Sequence, residues 1–275
     1  MMLPMPRRAL LAAPALLLAP SARAVVLEGR LEQGAFVRGR AEPGTKLALD
    51  GVPVRVSREG LFAFGFGRDA KENARLDVTA PDATKVTRLL AAARRAWPEQ
   101  KISGLPPSMV TPPVETLERI ARERELLRAA RAGHDTPEPL FAEGFDWPVQ
   151  GRISGVFGAR RILNGEPRQP HSGLDIVAPA GTPVAAPCPG IVRLAEPDLF
   201  FPGGTIVLDH GHGVSSTYMH LSRVDVQEGE RVAKGAIIGA VGATGRVTGP
   251  HLHFEIGWRG IPLDPETALP PRPEG

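Results

Sequence analysis

The chain holds one cysteine, Cys188, and one tyrosine, Tyr218, in 275 residues. A lone thiol cannot close an internal disulfide, and its Ala-Pro-Cys-Pro-Gly setting marks a small buried or turn residue with no activating base beside it. Long apolar runs are scarce too. The run from Ala9 to Pro20 is shorter than the about 20 residues a membrane-spanning helix needs, and no later stretch qualifies. A charge of one sign is also missing. The formal net charge is +3, but residues 1–24 contain three arginines and no acid, so the rest of the chain is formally neutral. No Lys/Arg cluster is interleaved with aromatics, which removes nucleic acid from the expected partners.

Arg7-Arg8, the apolar run and the small-residue end Ala22-Arg23-Ala24 have the three-part form of a secretory signal peptide over residues 1–24, cleaved after Ala24. The expected product begins near Val25 and is exported, to the periplasm or cell envelope. Arg7-Arg8 before Ala-Leu-Leu fits twin-arginine export as well as an ordinary basic leader.

The remainder reads as mainly β. Over residues 25–90, Lys46-Leu-Ala-Leu49 and Val52-Pro-Val-Arg-Val56 flank Asp50-Gly51, a strong hairpin signal, and Phe62, Phe64 and Phe66 alternate onto one face. A small β-sandwich with this aromatic stripe in its core is expected; a sugar-stacking platform is the alternative, though such sites favour Trp and Tyr. Residues 91–140 read as a Pro-rich linker, marked by Pro106-Pro107 and Pro112-Pro113, with a helix over 114–132 that stops at Gly133. Glu115/Arg119 and Glu118/Arg122 are spaced for ion pairs, and Leu117, Ile120, Ala121 and Leu127 give a narrow apolar stripe. This favours a connector docked on one domain over a dimerising helix or an arm covering a groove. Residues 141–268 are rich in Val and Ile, punctuated by Gly and Pro and without helical periodicity: a second all-β unit, with a flexible tail at 269–275. Strands Gly204–Leu208, Val214–Leu221 and Gly235–Val241 are expected to line an open groove suited to an extended peptide.

The histidines are concentrated in that second unit. In a strand, residues two apart share a face, so His251 and His253 project together while Leu252 and Phe254 turn inward. His171 and Asp175, four apart around Gly173, sit in either a helical turn or, given Ile176-Val177-Ala178, a loop entering a strand. A catalytic zinc takes three protein ligands at about 2 Å, and His171, Asp175 and one of His251/His253 supply that set. The same parity puts Tyr218 beside His220 and Glu255 beside His253, where Glu255 could hold the imidazole. His210 and His212, in Asp-His-Gly-His-Gly, read as turn residues, and His134 falls in the linker.

These pieces, His171-xxx-Asp175, Tyr218-x-His220-Leu221, and Gly242-Ala-Thr-Gly245 followed by Gly249-Pro250-His251-Leu252-His253-Phe254-Glu255, together resemble the lysostaphin-type (LytM-domain) zinc metalloendopeptidases of peptidoglycan. Pro179-Ala-Gly-Thr-Pro183 and Pro187-x-Pro-Gly190-Ile-Val192 resemble the strand-turn-strand core of that family. The likeness covers about residues 147 to 265. It implies a LytM-type catalytic domain with one Zn2+ held by His171, Asp175 and His253, and His220 and His251 as the catalytic pair that holds no metal. Such a site hydrolyses peptide bonds of stem peptides or cross-bridges by metal-activated water. His220, ahead of Asn164 and Arg161, is the expected donor to the developing oxyanion. The rival reading is a non-catalytic LytM-domain regulator that activates a cell-wall amidase, with residues 25–132 as the surface for an envelope protein partner.

Overall fold

A computed structural model describes residues 25–132 and 134–272. The expected signal peptide, the helix stop at Gly133 and the last three residues of the expected tail lie outside the described residues. The β-rich fold anticipated from the sequence is the one observed. Among the described residues, no helix is long and apolar enough to cross a membrane.

The N-terminal strands form two small sheets. Phe36–Arg40 lies between Val26–Glu28 and Leu61–Gly65, while Lys46–Leu49 lies between Val52–Val54 and Asn73–Thr79, with Lys85–Ala91 at the far edge. The Asp50-Gly51 turn has φ of 49° and 82°, both left-handed, the geometry that matches the twist of a tight hairpin. Phe62, Phe64 and Phe66 are buried, with the Phe62 and Phe64 rings stacked at 6.2 Å. They are core, and no stacking platform is presented.

The stretch expected to be a linker is more ordered than its prolines suggest. Glu99–Ile102 runs parallel to Arg160–Leu163, which pairs in turn with Glu166–Arg168. Pro107–Val110 forms a helical turn, and Leu105, Val110 and Leu163 close a small separate core. Four residues of mixed polarity, Glu-Gln-Lys-Ile, are too few to signal a strand; tertiary pairing supplies it.

A 3-10 turn at Val114–Thr116 leads into the helix Leu117–Ala132. Ile120, Leu127 and Ala130 are buried, Leu127 and Ala130 against Leu194, Leu199 and Val207, whereas Leu117 stays exposed. The expected ion pairs do not form. Glu115 belongs to the 3-10 turn and is out of helical register; Arg119 bonds Glu123 at 2.6 Å and reaches Asp198 at 3.1 Å. The helix is a docked connector, and its C-terminal half also walls the cleft described below.

The C-terminal unit is a ten-stranded sheet in which Leu252–Trp258 lies between Val214–Val224 and Leu174–Val177, with Arg152–Gly155 beyond the latter. Gly203–Asp209 is buried along its whole length, Val207 under the helix and Ile206 and Leu208 in the main core. It therefore lines no groove, contrary to expectation, because it is covered on both faces. The two units are clasped by 263–267: Gly65 lies where a Cβ would meet Leu263 at 2.3 Å, Asp264 N–H bonds Gly34 O at 2.7 Å, and Arg95 pairs with Asp264 at 2.7 Å. Residues 269–272, expected to begin a flexible tail, are tied down by Trp147, whose indole N–H donates to Pro270 O at 3.0 Å while Arg272 covers its ring.

Candidate metal centre and cleft

Asp175 and His253 occupy directly opposed positions on neighbouring antiparallel strands, so their side chains leave the sheet on one face, a few ångströms apart. Asp175 sits at a register shift against Gly155, and His171 enters from the loop just before the strand. The loop-into-strand geometry holds, and the helical turn does not. The result is a tight cluster: Asp175 Oδ1 is 2.7 Å from His253 Nδ1 and 3.0 Å from His171 Nε2, and the two ring nitrogens are 3.0 Å apart. Two glycines make room for it. A Cβ on Gly155 would lie 2.3 Å from Asp175 Oδ2, and one on Gly173 would lie 2.4 Å from Phe254 O and 3.0 Å from His253 Nε2.

The atoms facing away from the cluster are each held. His171 Nδ1–H donates to Val156 O at 2.9 Å, and His253 Nε2 bonds Glu255 Oε1 at 3.0 Å. Asp175 Oδ2 takes Arg161 at 2.6 Å, and Glu255 is braced by Arg131 at 2.7 Å and by the Ser172 hydroxyl. The facing atoms, His171 Nε2, His253 Nδ1 and Asp175 Oδ1, thus converge as lone-pair donors within 4.8 Å of one another, a donor set that fits a divalent ion such as zinc. Electrostatics agree with these pairings. Burial opposes charge on Asp175, Glu255, His171 and His253, but Asp175 is held well below the usual carboxylate range by its bonds to His171 and His253. Arg131, with His253 and Ser172, brings Glu255 to about 2 against the burial penalty. Burial alone would lower His253, yet Asp175 and Glu255 raise it to about 8, while burial lowers His171.

His220 and His251 form a second pair, with ring centroids 4.9 Å apart and His220 6.0 Å from His253. His251 Nε2 lies 3.8 Å from Asp175 Oδ1. Strand parity misplaces Tyr218 here. His220 has a left-handed φ of 64°, which breaks the alternation, so that Tyr218 turns into the core and bonds Ser216 at 2.7 Å while Met219 pairs across from His253. His220 Nδ1 bonds Thr244 O at 2.9 Å, and His251 Nδ1 bonds Gly249 O at 2.8 Å. Only an N–H can donate to these carbonyls, so in the neutral rings both Nε2 atoms carry lone pairs. Burial, aided by His253 and His251, lowers His220 to about 3. The neutral ring of His220 thus presents a lone pair to the cleft, where the oxyanion donor expected of it would need an N–H. Asn164 is also elsewhere, in an exposed turn with its amide bonded to Leu105.

Two cavities open on these histidines. One of about 420 Å³ is lined by His171, His220, His253, Arg131, Arg161 and Arg246, among others; one of about 210 Å³ by Asp175, His220, His251, Arg161 and Arg246, among others. Sequence reasoning missed the roles of Arg131, Thr244 and Gly155 here, and read Gly173 as a mark of the loop without its close packing on Phe254 and His253. Gly155 carried a signal, lying in a strand with no turn to explain it; Arg131 carried none, because its distance to Glu255 depends on how the helix docks.

His210, His212 and the cysteine are structural. His210 and His212 lie at a turn as expected, but buried: His210 bonds Pro189 O and Ser216, and His212 bonds Pro137 O. Burial lifts the Cys188 thiol to about 12, leaving it inert.

Residues 169–265 match Peptidase family M23. Peptidoglycan DD-endopeptidase ShyA of Vibrio cholerae is 41% identical over 114 residues, 41% of this chain and 26% of that protein. DD-carboxypeptidase/endopeptidase Mpg of Neisseria meningitidis serogroup B is 40% identical over 126 residues, 46% of this chain and 29% of that protein. The chain thus spans little more than a quarter of the length of these relatives. A crystal structure from Pseudomonas aeruginosa assigned to peptidase M23 is 31% identical, with a TM-score of 0.66 over 86% of this chain and 94% of that one. With this shared sequence and fold running through nearly all of a solved M23 structure, the chain belongs to peptidase family M23.

Proposed function

We propose that the chain is an exported zinc-dependent endopeptidase that hydrolyses peptide bonds of peptidoglycan stem peptides or cross-bridges. The observation that carries this reading is the convergence of His171 Nε2, Asp175 Oδ1 and His253 Nδ1, each with its outward atom held by a partner. The peptidoglycan substrate is supported by the names of the Vibrio and Neisseria relatives, and the periplasmic or envelope location by that substrate and the leader-like residues 1–24. The catalytic unit is residues 141–268, completed by side chains from the preceding segment.

His171, Asp175 and His253 would hold the ion. Zinc there supplies a water whose pKa falls toward about 7 and a positive charge for the scissile carbonyl oxygen. The rest falls to the chain. His251 Nε2, its lone pair set by the Gly249 bond, accepts the proton of the attacking water and returns it to the leaving amine. His220 Nε2, neutral across the working range, orients that water from the adjacent side. The Arg131–Glu255–His253 chain keeps His253 fixed through the cycle.

A complete donor set and a paired His220/His251 disfavour the regulator reading, which has no use for either. The test is release of soluble muropeptides from purified peptidoglycan by the zinc-loaded chain. Release that stops in His251→Ala and under chelation supports the endopeptidase; none from the zinc-loaded chain supports the regulator.

A further inference from the structure

The charge around the cleft is lopsided. Arg124, Arg131, Arg161, Arg168 and Arg246 line the larger cavity, with Glu255 as its one acid; Arg161 and Arg246 line the smaller one, with Asp175 as its one acid. Both acids are already spoken for, Glu255 by Arg131 and Asp175 by Arg161. The imbalance is local, since the chain beyond residue 24 is formally neutral.

Arg246 stands out within this set. It is half-buried and borders both cavities, its guanidinium lies over Phe201 at 4.4 Å, and no carboxylate pairs with it among the described residues. Among the described residues, the one hydrogen bond its guanidinium makes is a long 3.5 Å approach to Met109 O. Arg168 donates to Val110 O at 3.0 Å and has only a distant acid, Glu166 at 3.9 Å. Arg161 Nε is buried without a hydrogen-bond partner. Burial and the neighbouring Arg161 and Arg168 both act against charge on Arg246, yet a guanidinium stays protonated, so an anion placed there would be favoured.

The anion's class follows from shape. A guanidinium held over a ring by its carbon still presents a planar fork, which pairs with a planar carboxylate through two parallel N–H···O bonds. The fork borders the same cavities as His251 and the Asp175 cluster, so a carboxylate bound there would lie beside the residues of the candidate metal centre.

We propose that Arg246, flanked by Arg161 and Arg168, is a carboxylate-binding subsite that makes the cleft selective for stem peptides bearing a free carboxylate beside the cleaved bond, over neutral bridges. The proposal rests on the peptidase reading for its substrate, and its test is separable from it.

The test is calorimetric binding of a synthetic cross-linked stem peptide, as free acid and as carboxamide, to the full zinc-loaded chain carrying His251→Ala to prevent turnover. A charge-assisted bond of this kind predicts about tenfold tighter binding of the acid. The acid-to-amide ratio falls to near one when Arg246→Gln is added and is partly restored by Arg246→Lys. Equal binding of acid and amide, binding of neither, or a preference that survives Arg246→Gln overturns the subsite. Cleavage is scored separately with the unmutated chain. Acid and amide cut equally well means that the subsite fails and the peptidase stands, whereas selective binding without cleavage means the reverse.

Discussion

Asp175 and His253 sit opposite one another across a single position of two antiparallel strands, with Oδ1 and Nδ1 2.7 Å apart, while Arg161 and Glu255 hold their outer atoms. The pair is fixed by sheet register, and a one-residue slip of either strand would send its side chain to the other face. The cluster's chemistry therefore depends on the packing of Leu174, Ile176, Leu252 and Phe254 beneath it, all fully buried.

Glu255 fixes the ring of His253, so replacing its charge should loosen the ion without unfolding the protein. Glu255→Gln is expected to weaken zinc binding by roughly 10- to 100-fold, the usual cost of removing such a partner. Competition against a chromophoric chelator measures it; an unchanged affinity would mean that Glu255 serves only to neutralise Arg131.

Gly155 has no room for a methyl group. Its Cβ would fall 2.3 Å from Asp175 Oδ2, against the carboxylate and not the backbone. Gly155→Ala should displace Asp175 and sharply reduce bound zinc while the far-ultraviolet circular dichroism stays that of the parent. A variant that binds zinc as the parent does would show that the loop yields instead.

His210 provides a pH signature remote from the cleft. Burial lowers its pKa from 6.5 to about 4, so the unfolded ring takes a proton at a higher pH than the folded one. Stability from this group is complete above about pH 6.5 and is lost as pH falls toward 4, by roughly 3 kcal/mol in all. Urea unfolding at several pH values should show that decline, and His210→Gln should make it shallower by about this amount, the other buried histidines supplying the rest.

Arg131 ties the connector helix to the centre. Arg131→Ala leaves Glu255 buried without its cation and should cost about 3 kcal/mol of stability, the lower end for a broken buried pair. Urea unfolding would detect this, and the paired change Arg131→Ala with Glu255→Gln should recover most of it.

Much of this was legible in the residues, and the misses share a cause. The Asp50-Gly51 hairpin and the phenylalanine core are local patterns, where spacing fixes geometry, whereas the gathering of the histidine pieces into one site was implied by their resemblance to the lysostaphin-type family and not by spacing. Period-2 parity worked for His253 and Glu255, which lie in a regular strand, and failed for Tyr218 and His220, because a left-handed residue resets the alternation and no side chain announces it. The strand Glu99–Ile102 and the pairings of Arg131 and Arg161 are set by contacts distant in sequence. His220 shows the sharpest limit. Its residue type suits a proton donor, but the Thr244 carbonyl bond makes it an acceptor.

The most direct test of the account is zinc content measured beside muropeptide release for five variants: His171→Ala, Asp175→Ala, His253→Ala, His220→Ala and His251→Ala. The account predicts that the first three lose both zinc and activity, whereas the last two keep about one zinc per chain and lose turnover by about 100-fold or more. Zinc lost from His220→Ala or His251→Ala, or retained by His171→Ala, Asp175→Ala or His253→Ala, would contradict the division of labour between the two groups.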